Sequence, residues 1–163
     1  METAASWMAW LAVWSACGLF VAGALTDLRV RRVPNVIPLL LLGAFSVYAA
    51  AGAIRPPGSP WSHLAVGVVL LAAGVGLYAT GKFGGGDAKL MAVAGLWAGP
   101  ADLSLFLFGL GACALVLSAF AMLPFAGTRR MRSELPFAAA IVPPALAVVI
   151  PHALSHQVPS PLS

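Results

Sequence analysis

The chain has 163 residues, of which 61% are hydrophobic and only 9% are charged. This composition excludes an ordinary soluble domain, and the apolar residues fall into long uncharged runs that are typical of membrane helices. The runs do not alternate as transmembrane β-strands do, so we predict an all-α polytopic membrane protein. The net charge of +4 does not indicate nucleic-acid binding, because the basic residues lie in short loops between the runs. We therefore expect the lipid bilayer, and no nucleic acid, as a partner.

The apolar runs cover about residues 7–26, 36–54, 61–80, 88–99, 103–123 and 135–150. The fourth is short because Gly99-Pro100-Ala101-Asp102 is a turn signal. At about 1.5 Å per residue, a helix of about a dozen residues cannot cross a bilayer core of about 30 Å unaided. We predict about six transmembrane helices, the fourth of them short, in a single domain over residues 1–151. Residues 152–163 are predicted to be a C-terminal tail.

The basic residues predict how the chain is oriented in the membrane. If consecutive helices alternate in direction, eight of the nine Lys and Arg residues fall on one side, and only Arg55 falls on the other. The positive-inside rule makes the first side the cytoplasm, so both termini are predicted to be extracytoplasmic. Glu2 precedes the first run and Arg29 follows it, which is the reverse of a cleaved signal peptide. We expect the first run to remain as a membrane helix.

Two aspartates lie at the predicted cytoplasmic edge of the helices. Asp27 ends the first run, and Asp87 follows a triple glycine at residues 84–86 and precedes the fourth run. Each has a structural alternative: Asp87 is placed to cap a helix, and Asp27 is placed to pair with Arg29, Arg31 or Arg32 in the following loop. A carboxylate at the membrane edge is costly, however, and two at one depth can share a proton and activate a water for attack on a peptide carbonyl. We therefore predict that Asp27 and Asp87 are a catalytic pair.

The remaining motifs are weak. Residues 76–82 match the GxxxxGK core of a phosphate-binding loop, but they lack the following Ser or Thr and end a membrane run. His152 and His156 have a spacing that metal ligands on a helix use, but no third ligand is near them in the sequence. Cys17 and Cys113 are each isolated within apolar runs. We expect neither a metal nor a cofactor.

The two aspartate motifs resemble those of a known class of enzymes. Residues 84–87 match the GxGD element of GxGD membrane aspartic proteases. The closer resemblance is to type IV prepilin peptidases, in a small peptidase-only form similar to those of Flp-type (tight-adherence) pili. Those enzymes carry an aspartate followed by basic residues and Pro-Asn, here residues 27–35, and Gly-Gly-Gly-Asp-x-Lys-Leu, here residues 84–90.

This resemblance implies an aspartic endopeptidase of the bacterial inner membrane that removes the leader peptide from prepilins at the cytoplasmic face. Its partner would be a prepilin, which carries a basic leader and an apolar helix, and pilus assembly proteins are further candidates. We expect the substrate to contact six residues besides the catalytic pair: Gly84, Gly85, Gly86, Lys89, Pro34 and Asn35. N-methylation of the product is not expected, because the chain lacks the insert with paired CxxC motifs that larger members carry.

One alternative function uses the same two carboxylates. In a small proton-coupled transporter or channel subunit, Asp27 and Asp87 would line an ion path. Against this alternative, no acidic residue is predicted near the membrane midplane, where a carrier site is expected. Within a catalytic pair, the helix dipole favours Asp87, at the start of a helix, as the ionised base, and Asp27, at the end of one, as the holder of the shared proton.

Overall fold

The computed structural model describes residues 2–30, 33–54, 58–81, 83–122 and 137–155. The elements in these ranges are α1 (Glu2–Val30), α2 (Val36–Ala50), α3 (Pro60–Ala79), α4 (Gly85–Met122) and α5 (Phe137–Ser155). Three of these helices, α1, α3 and α4, are long and apolar enough to cross a membrane, and α2 and α5 are shorter apolar helices. The described residues are thus all-helical, as predicted, and consistent with a polytopic membrane protein. The number of crossings and the location of the termini remain predictions.

Large apolar side chains cover much of the outer surface of the bundle. Phe108 is 82% exposed, Trp61 is 78% exposed and Leu115 is 71% exposed. In water, each such side chain would forgo about 1.5–3 kcal/mol of burial free energy. A bilayer removes this cost, since lipid tails are as apolar as the side chains. The surface is therefore suited to contact with lipid.

Of the basic residues that predict the orientation, only Arg29 and Lys89 are among the described residues. The others lie outside them: Arg31, Arg32, Arg55, Lys82, Arg129, Arg130 and Arg132. The prediction that both termini are extracytoplasmic therefore rests on the sequence.

Helix α4 breaks sharply at Gly99, where φ is 61° and ψ is −173°. A left-handed φ favours glycine, and Pro100 follows it without an N–H group. The carbonyl oxygen of Leu96 therefore lacks the donor that a regular helix would supply four residues later. The ring of buried His63 replaces that donor, because its Nδ1 lies 2.8 Å from the Leu96 oxygen.

We expect His63→Ala to lower the thermal stability of the protein, because the Leu96 carbonyl would be left without a donor. An unsatisfied buried acceptor costs about 1–3 kcal/mol. His63→Asn keeps a donor near the position of Nδ1 and should recover part of the loss. Thermal unfolding in detergent measures both effects, and equal stability of wild type and His63→Ala would contradict this role.

The first segment of α4, residues 85–98, packs antiparallel to α3. A Cβ atom on Gly74, near the end of α3, would lie 2.9 Å from the Cα atom of Ala88. At the other end of the pair, the ring of His63 fills the space that a side chain on Gly99 would need. Small residues thus allow the close helix packing that is common in membrane proteins.

The second segment of α4, residues 100–122, returns along α5. Asp102 Oδ2 is 3.6 Å from Nε2 of His152, near the end of α5. A Cβ atom on Gly109 would lie 2.8 Å from the Cβ atom of Pro144, which is about two turns earlier in α5. The two helices are therefore antiparallel, and the chain reverses direction at the break. This hairpin corresponds to the predicted turn between a short fourth and a longer fifth helix.

Helix α5 extends to Ser155, into the segment that the sequence predicts as a tail from residue 152. His152 holds this end of the helix in place, since its Nδ1 lies 3.3 Å from the hydroxyl of Tyr48 and its Nε2 faces Asp102. These partners are remote in sequence, which explains why the pattern did not reveal them. Residues 156–163, including His156, lie outside the described residues.

Candidate active site

Four helix ends meet at one end of the bundle and carry the residues of the predicted site. They are the end of α1, with Asp27, and the starts of α2, α4 and α5. Helix α5 packs against both α1 and α4, so it links the two helices that carry the aspartates. Helices α1 and α4 also touch directly, because a Cβ atom on Gly23 would lie 3.7 Å from the side chain of Leu90.

Asp27 lies within the last turn of α1, because the helix continues to Val30. The residue is only 6% exposed, whereas Arg29 is exposed. Its Oδ2 atom accepts a hydrogen bond of 3.2 Å from the backbone N–H of Ala138. That N–H lies in the first turn of α5, where helix amides have no acceptor within their own helix. The buried carboxyl of Asp27 thus obtains from α5 a donor that water would otherwise supply.

Asp87 is the third residue of α4 and not its N-cap. The helix begins at Gly85, and the carbonyl of Gly84 accepts a 3.1 Å hydrogen bond from the N–H of Ala88. The Asp87 carboxyl folds back and interacts with the N–H of Gly84, which is one half of a capping box. The capping role that the sequence left open is therefore present, but at the third helical position.

The two carboxyl groups converge on a single backbone amide. The N–H of Ala138 that donates to Asp27 also interacts with the carboxyl of Asp87. The two aspartates are close enough for their charges to repel each other. Two carboxyl groups that lie close together can bind one proton between them, which would provide one acid and one base at the same point. This combination is chemically suited to the activation of a water molecule.

The three glycines before Asp87 differ in how closely other atoms approach them. A Cβ atom on Gly84 would lie 2.7 Å from Oδ2 of Asp87, and one on Gly86 would lie 3.1 Å from the Cβ atom of Val33. A Cβ atom on Gly85 would meet only an ordinary contact of 3.7 Å. None of the three has a left-handed φ. Gly84 and Gly86 are therefore needed for close approach within the protein and not for unusual backbone angles.

Asn35 and Lys89, two of the predicted substrate-binding residues, bind each other. The Nζ atom of Lys89 donates a 2.8 Å hydrogen bond to Oδ1 of Asn35. Asn35 precedes α2 but makes no side-chain capping bond. This bond and the contact of Val33 with Gly86 connect the α1–α2 loop to the start of α4. Contact of Asn35, Lys89 and the exposed Pro34 with a substrate remains a prediction.

A comparison with protein families identifies the chain. Residues 14–126 match the model of the type IV leader peptidase family. The chain belongs to this family. No curated protein and no solved structure matches it. Membership in a peptidase family agrees with the resemblance of the two aspartate motifs and with the apolar helices, while the aspartic mechanism and the catalytic residues remain predictions.

The match to the leader peptidase family ends at residue 126, before α5 begins. Sequence analysis missed the contribution of α5 and singled out neither Ala138, Phe137 nor Phe83. The rings of Phe83 and Phe137 are in contact, with centroids 4.8 Å apart and planes at 74°. The available signals were local: Pro136 lies at the beginning of the last apolar run, and proline is typical of the first turn of a helix. The free amides of a first helical turn are donors that a buried carboxyl requires.

An apolar groove lies between α2 and α3 in this family member. Its volume is about 310 Å³, and it is lined by Leu42, Phe45, Ser46, Ala49, Pro60, Trp61, Leu64 and Leu96. These residues include the start of α3 and the later part of α2, whereas the aspartates lie at the start of α4 and the end of α1. The groove is thus at the opposite end of the bundle from the two carboxyls.

Proposed function

We propose that the protein is an aspartic endopeptidase that cleaves the leader peptide from type IV prepilins, with Asp27 and Asp87 as its catalytic pair. The family supports peptide hydrolysis as the reaction class. The observation that carries the proposal is the convergence of the two carboxyls on the Ala138 amide. A like-charged pair held together at one end of an apolar bundle is costly, and shared-proton catalysis gives a reason for it.

Asp87 is the ionised base in the proposed reaction, and Asp27 holds the shared proton. Asp87 takes a proton from water, the water oxygen bonds to the peptide carbonyl carbon, and Asp27 gives its proton to the carbonyl oxygen. The resulting diol returns a proton from one hydroxyl to Asp27. Asp87 then gives its proton to the nitrogen as the C–N bond breaks. Each turnover consumes one water and restores both aspartates to their initial states.

The proposed substrate fits a site at the end of a membrane bundle. A prepilin has a basic leader, which stays in the cytoplasm, and an apolar helix, which enters the bilayer. In a protein with about six crossings, the positive-inside rule places the basic loops in the cytoplasm and both termini on the other side. Asp27 and Asp87 lie beside these loops, so they are assigned to the cytoplasmic face of the bacterial inner membrane. Cleavage would then occur where leader and helix meet. Gly84, Gly85, Gly86, Lys89, Pro34 and Asn35 are proposed to contact the substrate.

Incubation of the purified protein in detergent with a prepilin-like peptide tests the proposal. The peptide carries a basic leader, a glycine at the junction and an apolar helix, and cleavage shortens it on a gel. An uncut peptide in the presence of folded protein would contradict the proposed function. Proton flux into vesicles that requires both aspartates would instead favour the transporter alternative.

A further inference from the structure

The amide group of Ala138 has an unusual position for a helical N–H. Ala138 is 0% exposed, and its N–H belongs to the first turn of α5, which offers it no intrahelical acceptor. Its partner is the Oδ2 atom of Asp27, at 3.2 Å, on a helix more than a hundred residues away in the chain. A buried amide directed at a buried carboxyl satisfies the hydrogen-bonding capacity of both groups.

We infer that the backbone N–H of Ala138 is a positioning group of the active site, which holds the Asp27 carboxyl beside that of Asp87. The inference rests on the proposed peptidase function. A donor between two carboxyls, at the positive end of a helix dipole, offsets part of their repulsion. It also directs an oxygen of each carboxyl toward one point, so that both remain within reach of the same water.

The contact between Phe83 and Phe137 fixes this donor relative to Asp87. Phe137 immediately precedes Ala138, and Phe83 immediately precedes the glycine run that leads into α4. Their rings pack edge to face, and Phe83 is only 7% exposed. The segment that carries Asp87 is thus joined directly to the segment that carries the amide. The site is therefore built from three helices: α1 and α4, which carry the carboxyls, and α5, which carries the amide.

An amide-to-ester substitution at position 138, with lactic acid in place of alanine, removes the N–H and keeps the methyl side chain. We expect single-turnover cleavage to fall about 10- to 100-fold, because a hydrogen bond to a charged group is lost. The acid side of the pH–rate profile should also move by about one unit to higher pH, since Asp87, the ionised base, interacts with the same amide and loses a stabilising donor. The same substitution at Ala139, in the same helical turn, is the matched control and should retain both rate and profile.

Two further variants distinguish loss of the Ala138 N–H group from general damage to the fold. Ala138→Gly keeps the N–H and should remain active, whereas Ala138→Pro removes the N–H and should lose activity, as the ester does. General damage to the fold would lower the rate at every pH without moving the profile. If the ester at 138 matches the ester at 139 in rate and profile while wild type cleaves, the inference is overturned alone. If wild type does not cleave, the proposed function fails with it.

Discussion

Replacement of either Asp27 or Asp87 by alanine is expected to lower cleavage of a prepilin-like peptide about 10²- to 10⁴-fold, because each supplies one half of an acid–base pair. The double variant should be little worse than either single variant, since the two groups act as a unit. Single-turnover rates measure all three. Asp102→Asn is the matched control, because Asp102 pairs with His152 at the other end of the bundle. It should leave the rate near that of wild type.

The thermal stability of the asparagine variants at positions 27 and 87 distinguishes a catalytic role of the two aspartates from a structural one. Asp27 and Asp87 repel each other, and Asp27 is buried. Neutralising either one removes this repulsion, so Asp27→Asn and Asp87→Asn should unfold at the same temperature as wild type or higher. If Asp27 instead serves mainly to pair with Arg29, Arg31 or Arg32, Asp27→Asn should unfold at a lower temperature. Thermal unfolding in detergent decides between these readings.

The assigned roles predict unequal residual activities. Asparagine at position 27 keeps a donor for the substrate carbonyl, whereas asparagine at position 87 removes the base that takes a proton from water. Asp27→Asn should therefore retain more activity than Asp87→Asn, although both lose most turnover. Single-turnover cleavage over about pH 5 to 9 tests this order. Greater residual activity in Asp87→Asn would reverse the assignment.

Gly84→Ala is expected to lower the cleavage rate about 100-fold, because a Cβ atom there would lie 2.7 Å from Oδ2 of Asp87. The carboxyl would have to shift from its present position to make room. Gly85→Ala is the matched control in the same run and should retain the wild-type kcat, because its Cβ atom would meet only an ordinary contact within the protein. Gly86→Ala, which presses on Val33, should fall between them.

The separate effects on kcat and KM show whether the glycines leave room for the Asp87 carboxyl or for the bound substrate. Displacement of Asp87 lowers kcat, whereas loss of space for a bound peptide raises KM. We expect Gly84→Ala to act mainly on kcat. Equal increases in KM for Gly84→Ala and Gly85→Ala, with kcat unchanged, would show that the run serves substrate approach and would contradict the steric account.

The sequence predicted those parts of the fold that depend on strong local signals. Gly99 and Pro100 marked the reversal, because a left-handed φ and a missing N–H both act locally. Asp27 and Asp87 were expected at one end of the bundle because consecutive helices were predicted to alternate in direction. Their positions within the helices were less predictable. Helix α1 continues past Asp27 to Val30, and Asp87 lies inside α4.

The rest of the site depends on contacts between residues that are distant in sequence. The donor to Asp27 is a backbone amide, and every residue except proline has one, so no side-chain signal marks Ala138. The side chain of Asn35 makes no capping bond to α2 and instead binds Lys89, which is 54 residues away in the sequence. His152 was expected in a tail, but Tyr48 holds it in α5.

Intact-mass analysis of a prepilin-like peptide after incubation with wild type and with Asp87→Asn tests the central claim most directly. For wild type, the account predicts two fragments whose masses together equal that of the peptide plus one water, with the cut after the junction glycine. For Asp87→Asn it predicts intact peptide, while Asp102→Asn gives the wild-type fragments. Intact peptide with folded wild-type protein, or the same fragments from Asp87→Asn at a wild-type rate, would contradict it.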